Sequence, residues 1–262
     1  MEIGVSTASL YPLHIEDAFA KIAELGIRTA EVFANATVEA REPYLSQVCD
    51  IRDNNDMQIT SFHPFSSPME SVFLFSSYDR RIEEMMTLYE EFFGSMKMLG
   101  AKIFVLHGAI LSNKCTVGHY LEQFRRLSDI GRRFGVTVAQ ENVSYCMSGD
   151  LEFLRIMKRE LGDYARFVLD LKQARRSGKD PFEFIDALGT NIVHCHLSDA
   201  DSDKDCLPIG KGNFDFSLFT QKLLALGYDG AFIVELYREN YGEFEDLRDS
   251  VDALAEIVEK LS

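Results

Sequence analysis

The chain has 262 residues, an apolar fraction of 46% and a formal net charge of −15 at pH 7. This balance suits a globular protein with a sizeable core, and it disfavours a broad contact surface for a nucleic-acid backbone. No run approaches the roughly 18 consecutive apolar residues of a membrane helix, and the opening MEIGVSTASLYPLH has no basic segment ahead of an apolar one, so neither a membrane span nor a secretory leader is expected. The five cysteines are odd in number, scattered and without a CxxC pair, which makes a reducing, cytoplasmic compartment the expectation.

Eight β-rich runs punctuate the chain: IGVSTAS (3–9), TAEVF (29–33), ITSFHPF (59–65), KIFVLHG (102–108), VTVAQENV (136–143), ARFVLDL (165–171), NIVHCHL (191–197) and AFIVELY (231–237). Between most of them an apolar residue followed by glycine closes a helix-like stretch, at Leu25-Gly26, Leu99-Gly100, Phe134-Gly135, Leu161-Gly162, Leu188-Gly189 and Leu226-Gly227. Glycine suits that place because it enters the left-handed region without a Cβ clash. Ile82, Met85, Met86, Tyr89, Phe92, Phe93 and Met96 recur at helical spacing, as do Leu247, Val251, Leu254, Val258 and Leu261 at the end. The methionine-rich stripe reads as core filler rather than a ligand groove.

Eight strands alternating with eight helices predict a single (β/α)8 barrel domain over residues 1–262. An open doubly wound sheet is disfavoured, since no G-x-G-x-x-G follows the first strand. The longest stretch without periodicity is 64–78, PFSSPMESVFLFSSY. Three readings stand open for it: a lid over a pocket, a contact with a second copy of the chain in a homo-oligomer, or a buried excursion.

In such a barrel the chemistry gathers at the C-terminal ends of the strands. Those ends carry Glu31, His63, His107, Glu141, Asp170, His196 and Glu235, so seven of eight strands finish in an acid/base group or metal donor. Converging carboxylates resist ionising together unless a cation neutralises them. Imidazoles mixed with carboxylates favour Mn²⁺, Zn²⁺ or Co²⁺, with Mg²⁺ a poorer match. His194 and His196 lie one residue apart and so face the same side of a strand.

The glutamate in VAQEN, the aspartate in VLDLKQA, then HCHLSD, LPIGKGNFDF and VELY follow one another in an order that resembles the xylose-isomerase-like TIM-barrel superfamily. The resemblance runs along essentially the whole chain, in the branch that holds sugar-phosphate isomerases and epimerases, ketose 3-epimerases and endonuclease IV. It implies a four-ligand metal site of Glu141, Asp170, His196 and Glu235. It also implies that Glu141 and Glu235 act as acid and base on opposite faces of the substrate. His194 then becomes a support beneath the site, and Asp199 a residue of the strand-7 loop that orients a ligand or contacts substrate.

Two departures matter. Gln173 stands where the superfamily often has a histidine three residues after the strand-6 aspartate, and Cys206 stands where a histidine often precedes the P-x-G-x-G segment. Losing both argues against a three-zinc phosphodiesterase, while Gln173 can still meet a sugar hydroxyl. His63 and His107 permit a second metal with Glu141, or they bind substrate oxygens. Glu31 orients substrate or pairs with a lysine or arginine.

Lys172, Arg175, Arg176 and Lys179 form a basic cluster that is either a solvated loop or an attractor for a substrate anion. His14 and His119 lack a ligand-like context. The expected activity is metal-dependent isomerisation or epimerisation of a sugar, cyclitol or sugar phosphate. The alternatives are a dehydratase sharing the first proton abstraction, a hydrolase like the endonuclease relatives, and a barrel that only binds.

Overall fold

In the computed structural model, which describes residues 1–65 and 67–261, the eight strands close into one parallel barrel in sequence order. They are β1 (Ile3–Ser6), β2 (Thr29–Ala34), β3 (Gln58–Pro64), β4 (Ile103–Leu106), β5 (Thr137–Glu141), β6 (Phe167–Asp170), β7 (Ile192–Leu197) and β8 (Ala231–Val234). β8 pairs with β1 through Ile3 opposite Phe232 and Val5 opposite Val234, so no strand is left at an edge. The surrounding helices are α1 (Ile15–Glu24), α2 (Tyr44–Asn54), α3 (Asp79–Leu99), α4 (Val117–Arg133), α5 (Leu151–Leu161), α6 (Leu171–Arg176), α7 (Pro181–Leu188), α8 (Phe216–Ala225) and α9 (Glu245–Leu261).

The expectation of one helix per crossover fails between β6 and β7, where α6 and α7 stand in series. The cause is local. Asp170 caps α6 by accepting from the Gln173 backbone N–H, and Gly178 at φ +70° ends the run. Asp180 and Glu183 then build a capping box around Pro181, which starts a new helix.

The main core lies between the barrel wall and the helices. Phe62, Phe92, Phe93, Phe104 and Tyr89 pack edge to face, tilted or stacked, with ring centroids 5.0 to 6.4 Å apart. Met85, Met86 and Met96 are buried in the same layer, as their helical spacing suggested. A smaller apolar cluster of Val105, Ala139 and Val168, with Ile103 and Val193 against it, fills the barrel axis. Among the described residues no helix is long and apolar enough to cross a membrane.

The segment after β3 is packed over part of its length. Glu70, Leu74 and Phe75 are buried, and Phe75 stacks on Tyr120 at 4.0 Å and 10°. Glu70 accepts from the Tyr89 hydroxyl at 3.1 Å and from the Gly108 backbone N–H, while Ser71 Oγ accepts from Ile110 N at 2.7 Å. The buried-excursion reading therefore describes these residues. Phe65, Val72 and Tyr78 face solvent, and Ser66 lies outside the described residues.

Candidate metal centre

Strand alternation builds the site in layers. Two residues above the apolar plug, on the same inward side of each strand, His107 follows Val105, Glu141 follows Ala139 and Asp170 follows Val168. On the other strands His196 stands above His194, His63 above Ser61, and Glu235 above Ile233. Two register shifts complete the arrangement. One sets Glu31 opposite Ser61, and the other sets Val168 opposite His194 and hence Asp170 opposite His196.

One ligand atom from each of Glu141, Asp170, His196 and Glu235 lies within 4.8 Å of the others, and all four residues are buried. His196 Nδ1 faces this group, 3.1 Å from Glu141 Oε1, 3.7 Å from Glu235 Oε2 and 3.9 Å from Asp170 Oδ2. Its other nitrogen, Nε2, is 3.0 Å from Glu31 Oε2. A carboxylate on the far side of an imidazole fixes the ring and its tautomer for a cation on the near side. Glu141 Oε2 and Asp170 Oδ2 are both buried, the first 3.0 Å from His107 Nε2 and the second 3.4 Å from Lys172 Nζ, and burying such oxygens is costly without positive charge beside them. Three buried carboxylates and one imidazole converging in this way fit a divalent cation.

A second convergence lies beside the first. His63 Nε2 and His107 Nε2 are 2.6 Å apart, and Glu141 Oε2 lies 3.0 Å from the latter and 4.0 Å from the former. Three ligand atoms of these residues also fall within 4.8 Å of each other. Glu141 thus stands between the two groups.

Glu31 does not pair with a lysine or arginine. It is fully buried and receives the Ser6 and Ser61 hydroxyls at 3.1 and 2.8 Å, together with His63, His194 and His196 at 3.4, 3.1 and 3.0 Å. His194 lies below His196, on Glu31 and Ser61 Oγ.

The flanks of the strand-5 glutamate are equally specific. Gln140 Nε2 donates to the carbonyls of Leu106 and His107 at 3.0 and 2.9 Å. Asn142 clasps the Asp170 backbone, donating to its carbonyl at 3.0 Å and accepting from its N–H at 2.7 Å. Gly108 makes the turn after His107 at φ +95°, and a Cβ there would stand 2.1 Å from Tyr120 Oη, so only glycine fits. Polar residues on either side of Glu141 in an otherwise apolar strand were the available signal for these braces.

Gln173 Oε1 accepts from Ser144 N and Oγ at 3.0 and 2.9 Å, so its carbonyl latches a loop. Asp199 organises the strand-7 loop by accepting from the backbone N–H groups of Ala200, Gly210, Gly212 and Phe214. Cys206 is buried, and its thiol accepts from Tyr237 N at 3.3 Å and lies 3.7 Å from the Glu235 backbone carbonyl.

The basic cluster divides. Lys179 is exposed, and Arg176 forks onto Asp205 at 2.7 and 3.2 Å. Lys172, by contrast, is only 5% exposed. Its Nζ reaches into the site, 3.0 Å from Glu235 Oε2 and 3.4 Å from Asp170 Oδ2. Sequence reasoning missed it, because a lysine in the first turn of a helix ordinarily points to water. His119, read as a residue without a ligand-like context, ties its helix to the carbonyl of Ser76 at 2.9 Å.

Burial sets the electrostatics, and the partners decide each sign. Desolvation pushes Glu31 up, but the His196 charge and hydrogen bonds from His194, His196 and His63 outweigh it and hold the carboxyl well below its usual range. Glu141 is held low in the same way by His107 and His196. Glu235 is also lowered, with Lys172, His196 and His63 overcoming desolvation. Asp170 goes the other way: burial, helped by the charges of Glu141 and Glu235, overcomes Lys172 and His196 and pushes it up to about 7. His196 is raised well above an ordinary histidine, because Glu31, Glu235 and Glu141 outweigh its desolvation. For His194 desolvation prevails over Glu31 and lowers it.

Known proteins give the frame for this geometry. A protein of Methanocaldococcus jannaschii described as uncharacterised is 25% identical over 252 residues, covering 90% of this chain and 83% of its own. One of Mycobacterium leprae, likewise uncharacterised, is 22% identical over 258 residues, covering 90% and 89%. Among solved structures, a D-tagatose 3-epimerase-like protein superposes with a TM-score of 0.83 at 21% identity, over 100% of this chain and 98% of that one. The IOLI protein, solved with a bound zinc atom, superposes at 0.79 and 18% identity over 100% and 99%. D-psicose 3-epimerase of Clostridium cellulolyticum H10, solved with D-tagatose, gives 0.80 and 13% over 100% and 99%. At these identities the superpositions speak for the fold. The family model described as xylose isomerase-like TIM barrel matches residues 19–257, and the chain belongs to that family.

Proposed function

We propose that the protein is a metal-dependent isomerase or epimerase of a small sugar, cyclitol or sugar phosphate. The observation that carries this reading is the convergence of Glu141, Asp170, His196 Nδ1 and Glu235 within 4.8 Å at the C-terminal mouth of the barrel. In this reading these four residues hold Mn²⁺, Zn²⁺ or Co²⁺, and Glu31 orients His196 from behind. A divalent ion there supplies Lewis-acid polarisation of a carbonyl and its neighbouring hydroxyl.

The chain's own residues do the rest. Glu141 ends β5 and Glu235 follows β8, three strands apart around the mouth. One takes the proton from the carbon next to the carbonyl, and the other returns a proton to the opposite face. The edge-on pair of His63 and His107 supplies donors for substrate oxygens, and the plug beneath keeps bulk water from entering along the axis. The relatives agree in kind, since a 3-epimerase-like protein and a 3-epimerase solved with D-tagatose share the barrel.

The test is incubation of metal-replete protein in D₂O with a panel of ketoses, cyclitols and their phosphates. Deuterium at the carbon next to the carbonyl, lost on chelation, is the expected result. No exchange on any member by metal-loaded protein removes the reading. A conjugated enone absorbance in place of exchange identifies a dehydratase that shares the first step.

The His63, His107 and Glu141 convergence favours a second reading, a two-metal hydrolase of phosphodiesters. The charge of −15, together with Gln173 and Cys206 at the two departure positions, counts against it. Cleavage of abasic-site DNA would revive it.

A further inference from the structure

Lys172 is the one lysine or arginine in contact with the four-ligand group among the described residues, and the oxygens it touches are specific ones. Asp170 Oδ2 and Glu235 Oε2, its two partners at 3.4 and 3.0 Å, are the oxygens that face His196 Nδ1 at 3.9 and 3.7 Å. They are therefore the oxygens a cation between the four ligands would use. An ammonium and a divalent ion on the same two oxygens repel each other strongly in a buried setting.

We infer that Lys172 is a resident counter-cation, holding the Asp170–Glu235 edge of the metal-free site and giving it up when a divalent ion binds. This rests on the metal reading of the same site and adds a residue that sets how readily the ion is taken up. The fold provides both positions of the side chain. α6 begins on the Asp170 cap, so the Lys172 backbone is fixed two residues after that ligand. The Tyr237 ring, its centroid 4.9 Å from Nζ, offers a cation–π face on which the displaced ammonium can rest. Tyr237 is in turn held by Arg176, which donates to its hydroxyl at 2.8 Å. Lys172 is thus a positioning residue that acts on the metal ligands.

The experiment compares wild type with Lys172→Met, with Lys172→Gln as a second variant, measuring Zn²⁺ and Mn²⁺ dissociation constants by chelator competition. Removing the ammonium leaves two buried carboxylates without their counter-charge, so both ions should bind at least about tenfold more tightly to the variants. Affinities within about twofold of wild type, or weaker, overturn the inference, as a merely structural lysine would leave them unchanged. Crystals of the wild type, metal-free and zinc-loaded, give a readout free of mutation. Nζ should leave Asp170 Oδ2 and Glu235 Oε2 in the loaded form, and its retention on both oxygens beside a bound ion contradicts the account. If neither wild type nor variant binds either ion, the metal reading itself falls and takes this inference with it.

Discussion

Glu141 and Glu235 carry the proton-transfer roles in the proposed reaction. Glu141→Gln or Glu235→Gln should lower turnover by about 10²–10⁴-fold, the usual range for a positioned acid or base. Equilibrium dialysis with the cognate sugar should still detect binding; unchanged turnover would remove the residue from the mechanism. Glu31 acts through His196, so Glu31→Gln should weaken zinc binding by about 10- to 100-fold, as losses behind a metal ligand do.

The pH dependence of metal uptake follows from two protons. Asp170, pushed up to about 7, holds a proton below that pH, and His196, raised well above its usual value, holds another. Both must leave before the ion is bound, so affinity should rise as pH rises from about 6 to 8. Calorimetry in buffers of different ionisation enthalpy should find proton release per ion falling over that window, as Asp170 becomes ionised beforehand. A pH-independent affinity would contradict it. Because the folded value of Asp170 lies above its unfolded one, its contribution to the metal-free fold is full at low pH and is lost as pH rises toward 7.

At the scale of elements, the β5–β6 clasp is the connection to break. Asn142→Ala removes two hydrogen bonds to the Asp170 backbone and leaves a buried N–H and carbonyl without partners. Denaturant unfolding of the metal-free protein should show a loss of about 1–3 kcal/mol, and no loss would mean the clasp is replaced by water. All eight strands were legible in the sequence, because apolar runs bounded by Gly-terminated helices have few other solutions. The polar strand ends were legible for a related reason: His107 and Asp170 interrupt runs that otherwise avoid polar groups, and Glu141 sits at the centre of the polar triplet 140–142 that ends an apolar strand.

What stayed hidden depends on contacts between distant segments. The α6–α7 break needs the Gly178 turn and the Asp180 box to act together. The burial of Lys172 depends on Glu235, 63 residues away in sequence, arriving within 3.0 Å. Glu70 lay in a segment without periodicity, and only the fold brings Tyr89 and the Gly108 backbone to it. The partner of Gln173 was likewise unreadable, since Ser144 sits on the loop after β5 and Gln173 on α6.

Over the whole molecule, the barrel gathers acidic groups at one mouth of a chain already carrying −15. A ligand that binds only the folded site adds stability by mass action, about 4 kcal/mol at a thousandfold excess over its dissociation constant. Zinc or manganese at that excess should therefore raise the melting temperature by several degrees. The claim beneath every step is that the four residues at the barrel mouth hold a divalent cation, and anomalous scattering from crystals loaded with zinc or manganese tests it most directly. The account predicts an anomalous peak bonded to Glu141, Asp170, His196 Nδ1 and Glu235. An empty mouth at full loading, or an ion held by His63 and His107 without Asp170 and Glu235, would contradict it.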